Sequence, residues 1–211
     1  MVISDNRRHK GNFNLVLNCL NILKEAGVER RSIHFTVNRT NIGDILQLPY
    51  FLQQINVPNV VIGIIKPTGR ALEHPEILIE PQLVLLVKER IRTISANKFL
   101  NICQYTENNW QGLGCPAGNT KCGITAEGKI TSCVFLGKEY EGGNIKISSL
   151  EYLWNNDAAL NTLRTLHGNE TCANCPILLQ CSGGCRARAI YFNKDINASD
   201  PYCCEIKKIF P

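Results

Sequence analysis

The stretch CANCPILLQCSGGC, residues 172–185, sets four cysteines apart by two, five and three intervening residues. Gly183 and Gly184 suit a tight wrap, because glycine alone tolerates unusual dihedrals and close backbone approach. Arg186 and Arg188 lie just beyond and offer positive charge to an anionic centre. The chain has eleven cysteines in 211 residues; Cys19 stands alone in the first half and ten lie between Cys103 and Cys204.

What so many thiols do depends on the compartment. The N-terminal MVISDNRRHKGNF lacks the basic-then-apolar order of a secretory signal. No apolar run is long enough to span a membrane. A cytoplasmic protein with no membrane partner is expected, and there thiols stay reduced. Disulfides are therefore the weakest of three readings. Structural zinc asks for closed tetrahedral sites, often two C-x2-C pairs or Cys/His mixtures. Only Cys172 and Cys175 form such a pair, and His167, the nearest histidine, has no zinc-finger spacing. Iron–sulfur clusters accept cysteines at unequal spacings, and one cysteine in a run can serve a neighbouring cluster. Spacing favours iron–sulfur, with a zinc-binding structural protein as an alternative. The net charge of +5 comes from scattered basic pairs such as Arg30-Arg31, without interleaved aromatics, so a solvated surface is expected and no nucleic-acid partner.

The first half alternates helix and strand. GNFNLVLNCLNILKEAG, from Gly11, places Phe13, Val16, Leu17, Leu20 and Leu23 at helical period, with Gly27 as its stop. SIHFTVN alternates as a strand does, with Ile33, Phe35 and Val37 on one face and His34, Thr36 and Asn38 on the other. Asn41 can cap the next helix, in which Pro49 is either a kink or the true start. NVVIGIIKPTGR is a second strand, apolar on both faces as buried parallel strands are. Pro81 suits the first turn of a third helix. This order predicts α/β architecture with parallel strands. Two strands leave exposed edges, so a piece of a larger barrel or sheet is expected. Gly63 and the loop Lys66–Arg70 fall where α/β barrels keep their ligands.

The second half reads as short hairpins and loops. CGITAEGKITSCVF is a hairpin turning at Glu127-Gly128. SSLEYLWNNDAALNTLRTL is a helix capped near Ser149 that buries Leu150, Leu153, Trp154, Leu160 and Leu163. The boundary between the halves is set near residues 96 to 105, giving domains of residues 1–100 and 101–211.

The order C-x12-G-x4-C over Cys115, Gly128 and Cys133, then C-x2-C-x5-C-x3-C over Cys172, Cys175, Cys181 and Cys185, then a later cysteine, resembles the seven-cysteine signature of the SPASM domain. CPAG, GGNI…SLEYLW, GGCRARA and DPYC strengthen the likeness, which spans about residues 103 to 205. SPASM domains extend many radical S-adenosylmethionine (SAM) enzymes. The first half is similar to the later part of the radical SAM partial barrel, with IHFTVNRTN and VVIGIIKPTGRA resembling its fifth and sixth strands.

The resemblance implies an incomplete radical SAM β/α barrel followed by a small cysteine-rich α+β SPASM domain. It implies two auxiliary [4Fe–4S] clusters, the first on Cys115, Cys122, Cys133 and Cys185, the second on Cys172, Cys175, Cys181 and Cys203. Cys204 adjoins Cys203 and is an alternative ligand; Cys19 and Cys103 are expected to be buried thiols. It implies that Arg7 and Asn38 touch SAM in a complete enzyme. The C-x3-C-x2-C motif that binds the SAM-cleaving cluster does not occur in this sequence. The chain is thus expected to need a separate source of that site, either a longer product or a second chain supplying the other part of the barrel. Further expected partners are a peptide or protein substrate and an electron donor such as a ferredoxin or flavodoxin. The expected activity is modification of a peptide, protein or cofactor, without SAM cleavage by this chain alone. The alternative is a stand-alone electron-transfer or peptide-binding module.

Overall fold

The apolar alternation of the two predicted strands is realised as a parallel sheet. The computed structural model describes residues 10–105, 115–166, 170–176 and 178–204. They form two compact units, the first reaching Ile65 and resuming at Leu83–Glu107, the second made of Lys66–Gln82 and the chain from Asn108 onward.

In the first unit, β1 (Ser32–Val37), β2 (Asn59–Ile64) and β3 (Asn101–Tyr105) pair in parallel in the order β1-β2-β3. Register sets Ile33, Phe35 and Val37 beside Val60, Ile62 and Ile64. Val37, Val60 and Ile62 lose all exposure there, each contributing about 1.5–3 kcal/mol of burial. On the other face His34 and Thr36 pair with Val61 and Gly63. His34 is exposed, Thr36 half-buried and Asn38 fully buried. β3 was not expected from the sequence. Its bulge, where Val60 pairs with Ile102 but Val61 with Gln104, breaks the period-two pattern that identifies a strand.

Asn38, not Asn41, caps the segment after β1. Its Oδ1 accepts from the Thr40 amide at 2.8 Å, and Asn41 Oδ1 accepts from the Asn38 amide at 2.8 Å. This reciprocal pair starts a 3-10 segment, Arg39–Gln47, and Pro49 sits in the first turn of α2 (Leu48–Gln54). Proline thus marks a helix start rather than a kink, because its missing N–H costs nothing there. α3 (Val84–Ser95) buries Val84, Val87, Ile91 and Ile94 and follows a 3-10 turn that begins at Pro81. The first helix, α1 (Asn12–Glu25), buries only Leu20 of its apolar side, leaving Val16 and Leu23 exposed, and Cys19, expected to be buried, is exposed on it.

In the second unit, β4 (Gly123–Ile124), β5 (Lys129–Thr131) and β6 (Glu141–Asn144) form an antiparallel sheet. The expected long helix is two: α4 (Leu150–Asn156), capped by Ser149, and α5 (Ala158–Thr165), capped by Asp157. The break has a local cause, since Asp157 takes extended dihedrals to accept from the Ala159 amide at 2.8 Å. Its other oxygen accepts from the Gly143 amide at 2.7 Å, tying helix to sheet. Ile130, Leu153 and Leu160 make the core, with Trp154 and Cys122 packed on it, while Leu150 stays exposed. Among the described residues four short helices follow: α6 (Glu170–Ala173), α7 (Leu178–Cys181), α8 (Arg186–Asn193) and α9 (Pro201–Cys204).

Candidate metal centre

The eight cysteines expected to bind iron come from turns and helix ends of the second unit. Cys115 opens a turn in which the Asn119, Thr120 and Lys121 amides all donate to the Pro116 carbonyl. Cys122 directly precedes β4 and Cys133 lies two residues past β5. Cys172 sits in α6, and a turn from its carbonyl to the Cys175 amide, 2.9 Å, places Cys175. Cys181 ends α7, Cys185 stands at the N-cap position of α8 without a side-chain cap bond, and Cys203 lies in α9. Cys172, Cys181 and Cys203 are buried; Cys115, Cys122, Cys133, Cys175 and Cys185 are half-buried.

Five of these thiols have sulfur neighbours among the described residues, in two separate neighbourhoods. Burial pushes the Cys115 and Cys133 thiols up, Cys133 to about 11, and repulsion from Cys185 adds to both. Three cysteines distant in sequence are thus electrostatic neighbours. In the second neighbourhood, Cys181 and Cys203 bring their Sγ atoms within 3.7 Å. Cys122 rests on the Ile130–Leu153–Leu160 core. Among the described residues, no three His, Cys, Asp or Glu side chains converge tightly enough for one metal ion. A four-iron cube spreads its four cysteines over four irons and asks for wider separation than one tetrahedral zinc.

The residues fit an iron–sulfur group. The donors are soft sulfurs in a desolvated setting. The loop between Cys181 and Cys185 wraps through consecutive left-handed residues, Ser182, Gly183 and Gly184, with φ of 51°, 75° and 83°. Cations face the first neighbourhood: Arg186 and Lys66 both draw the Cys115 thiol down, and Lys66 draws Cys133 down. Lys66 belongs to the KPTGR loop, whose proximity to the cysteines no spacing rule suggested.

The two arginines after Cys185 also make fixed bonds within the protein. Arg188 is 1% exposed and spends its charge on the Asp200 carboxylate, with Nε–Oδ1 of 2.8 Å and Nη2–Oδ2 of 2.5 Å. Arg186 donates to the carbonyls of Ile196 at 2.9 Å and Ala198 at 3.0 Å, and to that of Gly183. Asp200 went unrecognised as a functional residue; its only sequence signal is its place in DPYC.

Of the two expected SAM contacts, Arg7 lies outside the described residues, as does His167. Asn38 is fully buried, and its Nδ2 is one of the buried side-chain nitrogens without a hydrogen-bond partner among the described residues. An orphaned buried donor just past the C-terminal end of β1 fits an external acceptor.

The fold resembles the later part of radical SAM enzymes that carry a SPASM domain. Residues 115–176 match the family model of the SPASM iron–sulfur cluster-binding domain. The chain is 24% identical to mycofactocin maturase MftC of Mycolicibacterium smegmatis, over 96% of this chain and 54% of that protein. Among solved structures, anSMEcpe with bound AdoMet superposes with a TM-score of 0.69, 16% identity, and coverage of 94% of this chain and 58% of the other. Streptococcus suis SuiB bound to the precursor peptide SuiA superposes with a TM-score of 0.62 at 19% identity, covering 87% and 46%. The chain spans about half the length of the curated relatives it matches. No helix among the described residues is long and apolar enough to cross a membrane.

Proposed function

We propose that this chain supplies the auxiliary iron–sulfur part of a radical SAM enzyme that modifies a peptide, a protein or a cofactor. Cys115, Cys122, Cys133 and Cys185 hold one [4Fe–4S] cluster, and Cys172, Cys175, Cys181 and Cys203 hold a second. The observation that carries this reading is the sorting of the thiols: Cys115, Cys133 and Cys185 interact with one another, and Cys181 meets Cys203. Neither contact mixes the two sets. When bound, such clusters supply one-electron transfer.

The residues of this chain do the rest. Desolvation around Cys115 and Cys133 excludes water, and Lys66 and Arg186 place positive charge where thiolates gather. The buried Asn38 amide nitrogen orients SAM in a complete enzyme. The precursor peptide bound to SuiB supports a peptide substrate, and the maturase MftC supports a maturation reaction. SAM cleavage needs a C-x3-C-x2-C site from outside these 211 residues, whether on a longer product or on another chain.

Anaerobic reconstitution of the chain tests the assignment. About eight irons and eight sulfides per chain are expected, and about four in a variant with Cys172, Cys175, Cys181 and Cys203 all changed to alanine. Colourless protein that carries zinc without iron or sulfide decides for the structural-zinc reading. Production of 5′-deoxyadenosine from SAM by this chain alone contradicts the need for a separate cleavage site.

A further inference from the structure

One polar cluster in the second unit exceeds what folding asks of it. Asp200 is fully buried and Arg188 nearly so, and the two meet in a bidentate pair. A buried ion pair of this kind is seldom more stabilising than well-packed apolar residues of the same volume. Its directional bonds therefore need another explanation, and they reach Cys185 directly and Cys203 through its neighbour Tyr202. Asp200 Oδ2 accepts from the Cys185 amide at 2.8 Å. The Asp200 carbonyl accepts from the Cys203 amide at 2.9 Å, and the Asp200 amide donates to the Gly183 carbonyl at 2.9 Å. Oδ1 also accepts from the Tyr202 amide at 3.0 Å. The Arg188 guanidinium lies 4.3 Å from the centre of the Tyr202 ring, whose hydroxyl donates to the Ile79 carbonyl at 2.5 Å. One aspartate thus grips the backbone of both Cys185 and Cys203.

We propose that Asp200 and Arg188 are positioning residues that lock Cys185 and Cys203 at a fixed separation, so that a single buried pair sets the geometry of both cluster sites. The proposal rests on the cluster assignment above, in which these cysteines serve different clusters. Groups that orient a metal's direct ligands commonly govern affinity about 10- to 100-fold. Here the effect reaches two sites together, because the same carboxylate holds the Cys185 amide through Oδ2 and, through Oδ1, the amide of Tyr202, the residue bonded to Cys203.

The test compares the wild-type chain with the double variant Asp200→Ala plus Arg188→Met. Removing both charges avoids stranding a buried ion, and alanine keeps the Cβ that lies against Gly184. The readouts are iron and sulfide per chain, the electron paramagnetic resonance spectrum of the dithionite-reduced protein, and a redox titration, beside circular dichroism and thermal unfolding. The double variant is expected to keep wild-type secondary structure while cluster retention against a chelator falls about 10-fold or more and the signals and midpoints of both clusters move. A folded variant with wild-type spectra and midpoints overturns the proposal, and so does a change confined to one cluster. If that double variant does not fold, Asp200→Asn plus Arg188→Met carries the test with the same readouts, since asparagine keeps the side-chain volume and one acceptor oxygen without stranding the arginine. Wild-type chain that takes up no iron sinks the cluster assignment and the clamp with it; iron-loaded wild type beside an unaltered variant sinks the clamp alone.

Discussion

Replacing Gly184 by alanine should cost far more than replacing another glycine of similar backbone conformation. Gly184 has φ of +83°, and a Cβ there would run into the Asp200 Cβ and lie 2.8 Å from its Oδ2 and 3.1 Å from its Cγ. The left-handed conformation costs an L-residue about 1–2 kcal/mol. Asp200 has no exposed side to retreat to, and overpacking in such a site adds about 1–3 kcal/mol. Together they predict a loss of about 3 kcal/mol. Gly69 is the control: φ is +54° and nothing lies within 4 Å of an added Cβ, so Gly69→Ala bears the backbone cost alone, about 1–2 kcal/mol. Urea unfolding of the metal-free chain, followed by fluorescence of Trp154 on the core of the same unit, reads the difference. In reconstituted protein, Gly184→Ala should also lower retained iron, because displacing Asp200 moves the Cys185 amide. Equal destabilisation by the two substitutions would refute the view that Asp200 is immovably packed against the cysteine loop.

Two further outcomes follow from the second unit. Asp157→Ala removes the acceptor of the Ala159 and Gly143 amides and should cost about 2 kcal/mol in the same urea assay, with Asp157→Asn recovering most of it. The metal-free chain should also weaken in alkali: with Cys133 raised from 9.0 to about 11 by burial, the folded state keeps a proton that the unfolded state has released between those values. Stability from this source is unchanged below about pH 9 and falls by about 1–2 kcal/mol up to about pH 11, allowing for a half-buried site. Cys133→Ser should flatten that part of the profile, and an unchanged alkaline slope would show that the thiol is not desolvated.

Much of the local structure was legible because its causes are local. The Ser149 cap, the hairpin turning at Gly128 and the start of a helix at Pro49 all follow from neighbouring residues. Where the reading went astray, a second short-range bond competed. Asn38 took the cap expected of Asn41 because the two side chains bond reciprocally, and Asp157 divided a continuous helical period by capping its second part. α1 shows a different limit: periodicity reports an apolar stripe but not whether anything covers it, and Val16 and Leu23 remain exposed.

By itself the sequence determined a sulfur-rich second half beside an α/β first half, since spacing and periodicity are properties of the chain read in order. Only the tertiary structure decided that Cys181 meets Cys203, that Lys66 comes close enough to act on Cys115 and Cys133, and that Asp200 spends both oxygens on Arg188 while holding Cys185. Those pairings join residues dozens of positions apart or depend on burial, and burial, by stripping water from charge, turns an ordinary aspartate into a fixed anchor.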